Sequence, residues 1–161
     1  MLKFFTRKGG EKGFTLIELL VVIAVIGMLA SIVLVSLGPV RKKGRDAVRQ
    51  SDIRQINLAM EMCYPDSACG GLERYLTTTA GANKVTAIGT YMPSVPKDPL
   101  TPTQDYTWTA NASPWQYYCV YVKLEAEDNT WFCASNKGVM KKPQAGYTPS
   151  NADCCGVNVT L

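Results

Sequence analysis

The sequence predicts an α+β fold in which one long N-terminal helix packs half of its length against a small antiparallel sheet. Three observations carry this expectation. Residues 14–37 form an apolar run broken by a single charge, Glu18. Residues 40–63 keep a helical period but turn amphipathic. Beyond them, aromatic and β-branched residues recur in short blocks between Gly, Pro and Asn turns, the pattern of strands.

The apolar run comes first. Its 24 residues, at ~1.5 Å per residue, make a helix about 36 Å long, enough to cross a bilayer core. It is apolar on every face, which argues against the core helix of a soluble domain. A cleavable secretory signal fits poorly, because the run is too long, no A-x-A site follows it and a carboxylate lies inside it. Gly38-Pro39 then predicts a kink or a short melted stretch, since proline removes a helical hydrogen bond and crowds the preceding turn. Helix is expected to resume near Val40, with Ile53, Ile56, Met60 and Cys63 on one face, and to end before Tyr64-Pro65-Asp66.

Residues 64–104 are rich in Gly, Thr and Pro and predict little regular structure. Strands are expected over residues 105–110, 116–124 and 130–134, three or four in all, with residues 125–129 as a hairpin loop. At strand spacing Tyr106, Trp108, Trp115, Tyr117, Tyr118, Tyr121 and Trp131 read as core residues more readily than as a ligand platform. The chain therefore divides into a leader (1–13), a helix (14–63, with 14–37 the span and 40–63 the amphipathic half) and a globular head (64–161).

Charge supports the division. The formal net charge is +4, but residues 1–13 hold +3 and residues 40–54 hold +4, while residues from 55 onward carry 7 basic and 9 acidic side chains. Basic residues thus flank the apolar run and leave the head slightly acidic, as for a membrane-bound segment; nucleic acid is not indicated. Composition is that of a globular chain, 47% hydrophobic and 19% charged, and its length suits one ordinary domain.

The 6 cysteines, Cys63, Cys69, Cys119, Cys133, Cys154 and Cys155, all follow the apolar run. An even number without CxxC spacing predicts disulfides formed outside the cytoplasm. With no histidine and no paired C-x2-4-C knuckle, a zinc site lacks its ligands. A bond between the adjacent Cys154 and Cys155 is disfavoured, because their Cα atoms sit only about 3.8 Å apart. If Cys63 and Cys69 close their short loop, the remaining schemes tie Cys119 and Cys133 to the C-terminal pair. A direct Cys119–Cys133 bridge across the hairpin is the competing arrangement.

Chemistry for catalysis is missing from the sequence, which has no histidine, no nucleophile elbow and no phosphate-cradling glycine loop; the chain reads as a non-enzyme. Asn111-Ala-Ser113 and Asn158-Val-Thr160 match the glycosylation sequon and are expected to be unused.

The residues that carry function are Lys12-Gly13-Phe14-Thr15-Leu16-Ile17-Glu18-Leu19-Leu20. A basic leader before an apolar helix keeps the N-terminus cytoplasmic and sends the rest outward. Glycine before the junction admits a protease to the backbone. A carboxylate in a span costs roughly 2.5–3.5 kcal/mol at its centre on insertion scales, so it normally has a partner. Cleavage after Gly13 would supply one, an α-amino group with a reference pKa of about 7.7–8.0.

This string resembles the class III leader and N-terminus of type IV pilins and type II secretion pseudopilins, over residues 1 to about 60. The resemblance implies a pilin-like fold and removal of the leader after Gly13 by a prepilin peptidase, which also methylates the amine of Phe14. It implies that Glu18 is the assembly residue of a homo-oligomeric helical filament. Further partners so implied are an assembly ATPase with its inner-membrane platform, and membrane lipid before assembly. The subunit would wait in the inner membrane with its head outside, then enter an extracellular pilus or a periplasmic pseudopilus. Pro39 lies a few residues later than the helix-breaking proline common in pilins. Pro96-Lys-Asp-Pro99 is similar to a loop that binds calcium in some major pseudopilins, with Asp98 and Asp105 as the nearest hard oxygen ligands. The simpler expectation there is a Pro-rich turn with a solvated Asp98 and no cofactor. Glu125, Glu127 and Asp128 are likewise expected to be a polar hairpin tip. A surface pilin is the favoured reading, with a pseudopilin as its alternative and a membrane-anchored, non-polymerising binding domain behind both.

Overall fold

The computed structural model describes residues 13–69, 71, 73–82, 84–111, 116–150 and 153–156. Residues 1–12 of the leader, Trp115, Ser113 and Asn158 lie outside the described residues. Helix α1 spans Leu16–Cys63, with Pro39 inside it. Pro39 is therefore not the break expected from the sequence. Proline deletes one hydrogen bond of the ladder, and a 48-residue helix retains the bonds on either side. The chain nevertheless divides there into two compact units, 1–38 and 39–161, so the second half of α1 belongs with the head.

In the first unit, an 18-residue window of α1 reaches a mean hydropathy of 3.0 with none of it buried. Leu16, Ile23, Leu29 and Leu34 are each more than half exposed. Among the described residues an apolar surface of this extent has no partner, which distinguishes it from a core helix.

In the second unit the head is a five-stranded antiparallel sheet in sequential order: β1 (Gly81–Ala82), β2 (Thr107–Trp108), β3 (Cys119–Lys123), β4 (Thr130–Ser135) and β5 (Gly138–Pro143). Strands β1 and β5 are additions to the expectation. The turn Asn136-Lys137-Gly138 was the available signal for β5, with Gly138 at φ 103°, a conformation that suits glycine. The expected strand at 105–110 shrinks to two residues. A single-turn 3₁₀ helix, Ser67–Cys69, follows α1.

Register sorts the side chains into two faces. Val120 pairs with Ala134 and Val122 with Phe132, and these four join Trp108, Tyr106 and Tyr118 in a core with Ile53, Ile56, Met60 and Cys63 of α1. The opposite face carries Tyr121 paired with Cys133, and Lys123 paired with Trp131. The expectation that the aromatic residues are core therefore holds for Tyr106, Trp108 and Tyr118, but Tyr117, Tyr121 and Trp131 lie partly buried on the outer face. Three core tyrosines are anchored by side chains of α1: Tyr106 donates to Asp52 (2.5 Å), Tyr118 to Asn57 (2.9 Å) and Tyr75 to Glu61 (3.0 Å).

Disulfides join Cys63–Cys69, Cys119–Cys154 and Cys133–Cys155. The direct Cys119–Cys133 bridge is not formed, because the register sets Tyr121, not Cys119, opposite Cys133. Cys119 and Cys133 share the outer face, and the tail crosses it to reach both. Gly89 lies against the first bridge: a Cβ there would come within 2.4 Å of Cys69 Sγ, and its φ of +50° also favours glycine.

Pinning the tail twice compensates for a small core. Replacing Cys119 and Cys154 together by Ser should lower the urea midpoint by an amount equivalent to roughly 2–5 kcal/mol, as for other native disulfides of small exported domains. The unfolding curve of the double variant against wild type, both non-reduced, measures it.

Candidate functional site

The start of α1 is the first site. Thr15 is the N-cap and Glu18 sits three residues on. The Thr15 amide and hydroxyl donate to one Glu18 oxygen (2.8 and 2.7 Å), and the Glu18 amide donates back to the Thr15 hydroxyl (3.3 Å). This is a capping box, which satisfies backbone donors that a helix start leaves open. Thr15 was legible from the T-x-x-E string ahead of the apolar run, but the sequence reading passed over it. Among the described residues, the second oxygen of Glu18 accepts no hydrogen bond. Phe14 is 90% exposed, and a Cβ on Gly13 would touch nothing within 4 Å, so both residues face open space. Further along, Gly27 also faces open space, and the Ser31 hydroxyl donates to its own helix at Met28 O (2.7 Å). The small residues Gly27, Ala30 and Ser31 leave room for a neighbouring helix to approach.

The calcium candidates of the head fall differently. Asp98 is 3% exposed, not solvated as expected from a Pro-rich turn. It accepts a bidentate pair from Arg49, Nε at 2.6 Å and Nη2 at 2.9 Å, and the Leu100 amide donates to it at 2.8 Å. Asp105 instead accepts from the Thr101 hydroxyl. Among the described residues, no group of three or more acidic, cysteine or histidine side chains converges as a metal site. A guanidinium supplies the positive charge at Asp98.

Arg49 is the residue that the sequence reading misplaced. Charge alone puts it with the basic flank of the span, yet it is fully buried. Its position betrays it: 49, 53, 56, 60 and 63 recur at helical spacing on the packed face of α1. Arg49 also donates to Asp46 (2.8 Å) and pairs with Glu125, which Arg45 grips with Nε and Nη2 (2.9 and 2.6 Å). Asp46 in turn accepts from the backbone amides of Glu125 (2.9 Å) and Ala126 (2.7 Å). The hairpin tip is thus not merely polar. Glu125 and the 125–126 backbone are clamped to α1, and Glu127 pairs with Lys141. Asn111, the first sequon residue, is also committed: its side chain accepts from the Thr78 amide and donates to Leu76 O and Tyr117 O.

The clamp has a pH signature. Hydrogen bonding from Arg45, aided by Arg49, holds the Glu125 carboxyl down to about 2 against the opposing effect of burial. A depressed folded value stabilises the fold above the ordinary value of 4.5, and this contribution is lost as pH falls toward about 2. Burial acts oppositely on Asp52 and Glu61, whose carboxyls are raised. Their protonation should add stability as pH falls from neutrality. Calorimetry from pH 7 downward should therefore show a midpoint that first rises and then drops below pH 4.5, with the drop blunted in Glu125→Gln. Arg49→Met removes the cation that three carboxylates share, leaving buried Asp98 without its guanidinium, and should cost roughly 3–5 kcal/mol at pH 7, most of it recovered when Asp98→Asn and Glu125→Gln are added.

Comparison with known proteins bears on the start of α1 and on the chain as a whole. The family described as "Prokaryotic N-terminal methylation motif" matches residues 8–34, which include the Gly13-Phe14 junction and Glu18. Type II secretion system core protein G of Aeromonas hydrophila is 34% identical over 58% of this chain and 70% of its own length. The same protein of Klebsiella michiganensis is 33% identical over 68% of this chain and 71% of its own. The type IV wide pilus major component PilA4 of Thermus thermophilus is 28% identical, over 89% of this chain and 96% of its own. No solved structure matches the chain. With its methylation motif, its exposed apolar helix and these relatives, the chain belongs to the type IV pilin and type II secretion pseudopilin family.

Proposed function

We propose that this chain is the structural subunit of a type IV pilus-like filament, cut after Gly13, methylated at Phe14 and polymerised through the first half of α1. The observation that carries the proposal is the apolar helix surface, exposed on all sides and headed by one carboxylate in a capping box. Before assembly, lipid of the inner membrane covers that surface, with the head outside. In the filament, the helices of other copies replace the lipid. Lipid and helix are equally apolar partners, so contact alone does not select a depth. The unbonded Glu18 oxygen and the new Phe14 amine of a neighbour supply the polar contact that does. A prepilin peptidase and an assembly ATPase with its membrane platform are the partners this route requires.

Surface pilin is the reading preferred here, supported by the similarity to the wide pilus component along nearly the whole of both chains. The pseudopilin reading is supported by the core protein G relatives. Electron microscopy of material sheared from cells distinguishes them, since long filaments carrying this subunit belong to the first reading.

Two outcomes are expected. Intact-mass measurement of the membrane or filament protein should give residues 14–161 with one added methyl group, whereas a mature start between residues 25 and 45 would mean ordinary signal cleavage. Glu18→Val should still be inserted and processed, because Gly13 is untouched and a charge has left the span. Its filament yield in the sheared fraction should fall at least about tenfold, a register preference of only ~1.4 kcal/mol. Glu18→Asp should fall between the two. Normal yield from the Val variant would remove Glu18 from the assembly mechanism.

A further inference from the structure

The outer face of the sheet is covered unequally. The C-terminal segment is bonded to Cys119 and Cys133 and shields that part of β3 and β4. Beside it an open cleft of about 460 Å³ remains, floored by Tyr121, Trp131 and Thr107 and rimmed by Gln104, Asp105 and Lys123. Its volume is that of a small-molecule site. Strand pairing builds the floor: Thr107 lies opposite Tyr121, and Trp131 opposite Lys123. The Tyr121 and Trp131 rings meet edge to face, with centroids 5.6 Å apart and planes at 76°, and both rings are half-buried.

The polar groups around these rings are poised rather than spent. Among the described residues, the Tyr121 hydroxyl, the Trp131 indole N–H, the Lys123 ammonium and the Thr107 hydroxyl have no hydrogen-bond partner. Gln104 is held by its amide nitrogen, which donates to Lys123 O (2.6 Å), so its side-chain oxygen is left for a ligand. One Asp105 oxygen takes the Thr101 hydroxyl and the other is open. Lys123 and Asp105 cancel in charge, so the cleft offers no net attraction to a phosphate or to a cation. Its polar rim is equally unsuited to a lipid chain.

We infer that this cleft binds a neutral pyranose oligosaccharide. A sugar ring has an apolar C–H face, which covers a half-exposed aromatic ring, and hydroxyls that both donate and accept around its edge. That combination matches an aromatic floor ringed by unpartnered donors and acceptors. The tail disulfides and the rigid β3–β4 pairing fix the platform before any ligand arrives, which limits the ordering cost of binding. The site lies wholly within the head and does not depend on polymerisation or on the assembly reading above.

Saturation-transfer NMR on the full mature chain tests this. The protein is held in dodecylphosphocholine micelles, which carry no sugar, with cellotetraose, chitotetraose or tetragalacturonate at about 1 mM, the scale of a weak single-site ligand. Transfer to at least one neutral tetrasaccharide is expected. It should fall at least about fivefold in Trp131→Ala and in Tyr121→Ala, be weakened in Lys123→Ala, and persist in Trp131→Phe and in Leu58→Ala on exposed α1. Near-ultraviolet circular dichroism identifies any variant that fails to fold; Lys123→Ala, at an exposed position, and Trp131→Phe then decide. Absence of transfer to both neutral sugars, transfer to tetragalacturonate alone, or transfer unchanged across the Trp131, Tyr121 and Lys123 variants would each overturn the inference.

Discussion

One helix is required to satisfy two solvents, and the rest of the molecule follows from that constraint. The first half of α1 presents leucine, isoleucine and valine in every direction and has no partner among the described residues. Apolar surface of that extent leaves water wherever it can, into lipid or against other helices. The second half cannot follow it, because Asp46, Arg49 and Asp52 on its packed side are committed to the head.

The head holds the helix through polarity as much as through its core. Ile53, Ile56 and Met60 supply the apolar contact. Arg49 adds a cation shared by Asp46, Asp98 and Glu125, which come from α1, the 96–99 loop and the β3–β4 hairpin. Removing charge from water is expensive, and a shared cation repays it only when every partner is in place. The arrangement therefore favours one seating of the helix over alternatives that an apolar contact alone would tolerate. The disulfides act at the opposite face, where the C-terminal segment covers a sheet too small to be shielded on both sides by its own strands. Together, helix and tail sandwich the strands, and the part of the outer face that neither covers is the aromatic cleft.

The capping box at Glu18 shows how a carboxylate is accommodated at the head of an apolar helix. In the single chain Thr15 satisfies one carboxylate oxygen and shares the end of the helix with it, where the dipole also favours negative charge. The second oxygen keeps its capacity for a contact made elsewhere. A residue that caps its own helix and still has an acceptor to offer is suited to an anchor whose final partner lies on another molecule.

Local pattern determined much of this protein. The apolar run and the amphipathic period of residues 40–63 each depend on neighbours a few positions away, so the sequence alone identified the helix on either side of Pro39 and its end at Cys63. The cysteine pairings were narrowed to a few schemes by chain geometry. What needed the tertiary structure was every pairing that depends on register. A strand slipped by one residue exchanges its two faces, so no local rule could decide that Tyr118 is core while Tyr121 is cleft, or that Cys119 takes Cys154 and Cys133 takes Cys155. Arg49 is the instructive case between these extremes. Its helical spacing placed it on the packed face, but its charge argued for solvent, and only the arrival of Asp98 and Glu125 from 49 and 76 positions along the chain resolves the conflict. Burial of a charge is decided by partners, and partners distant in sequence are brought together only by the fold.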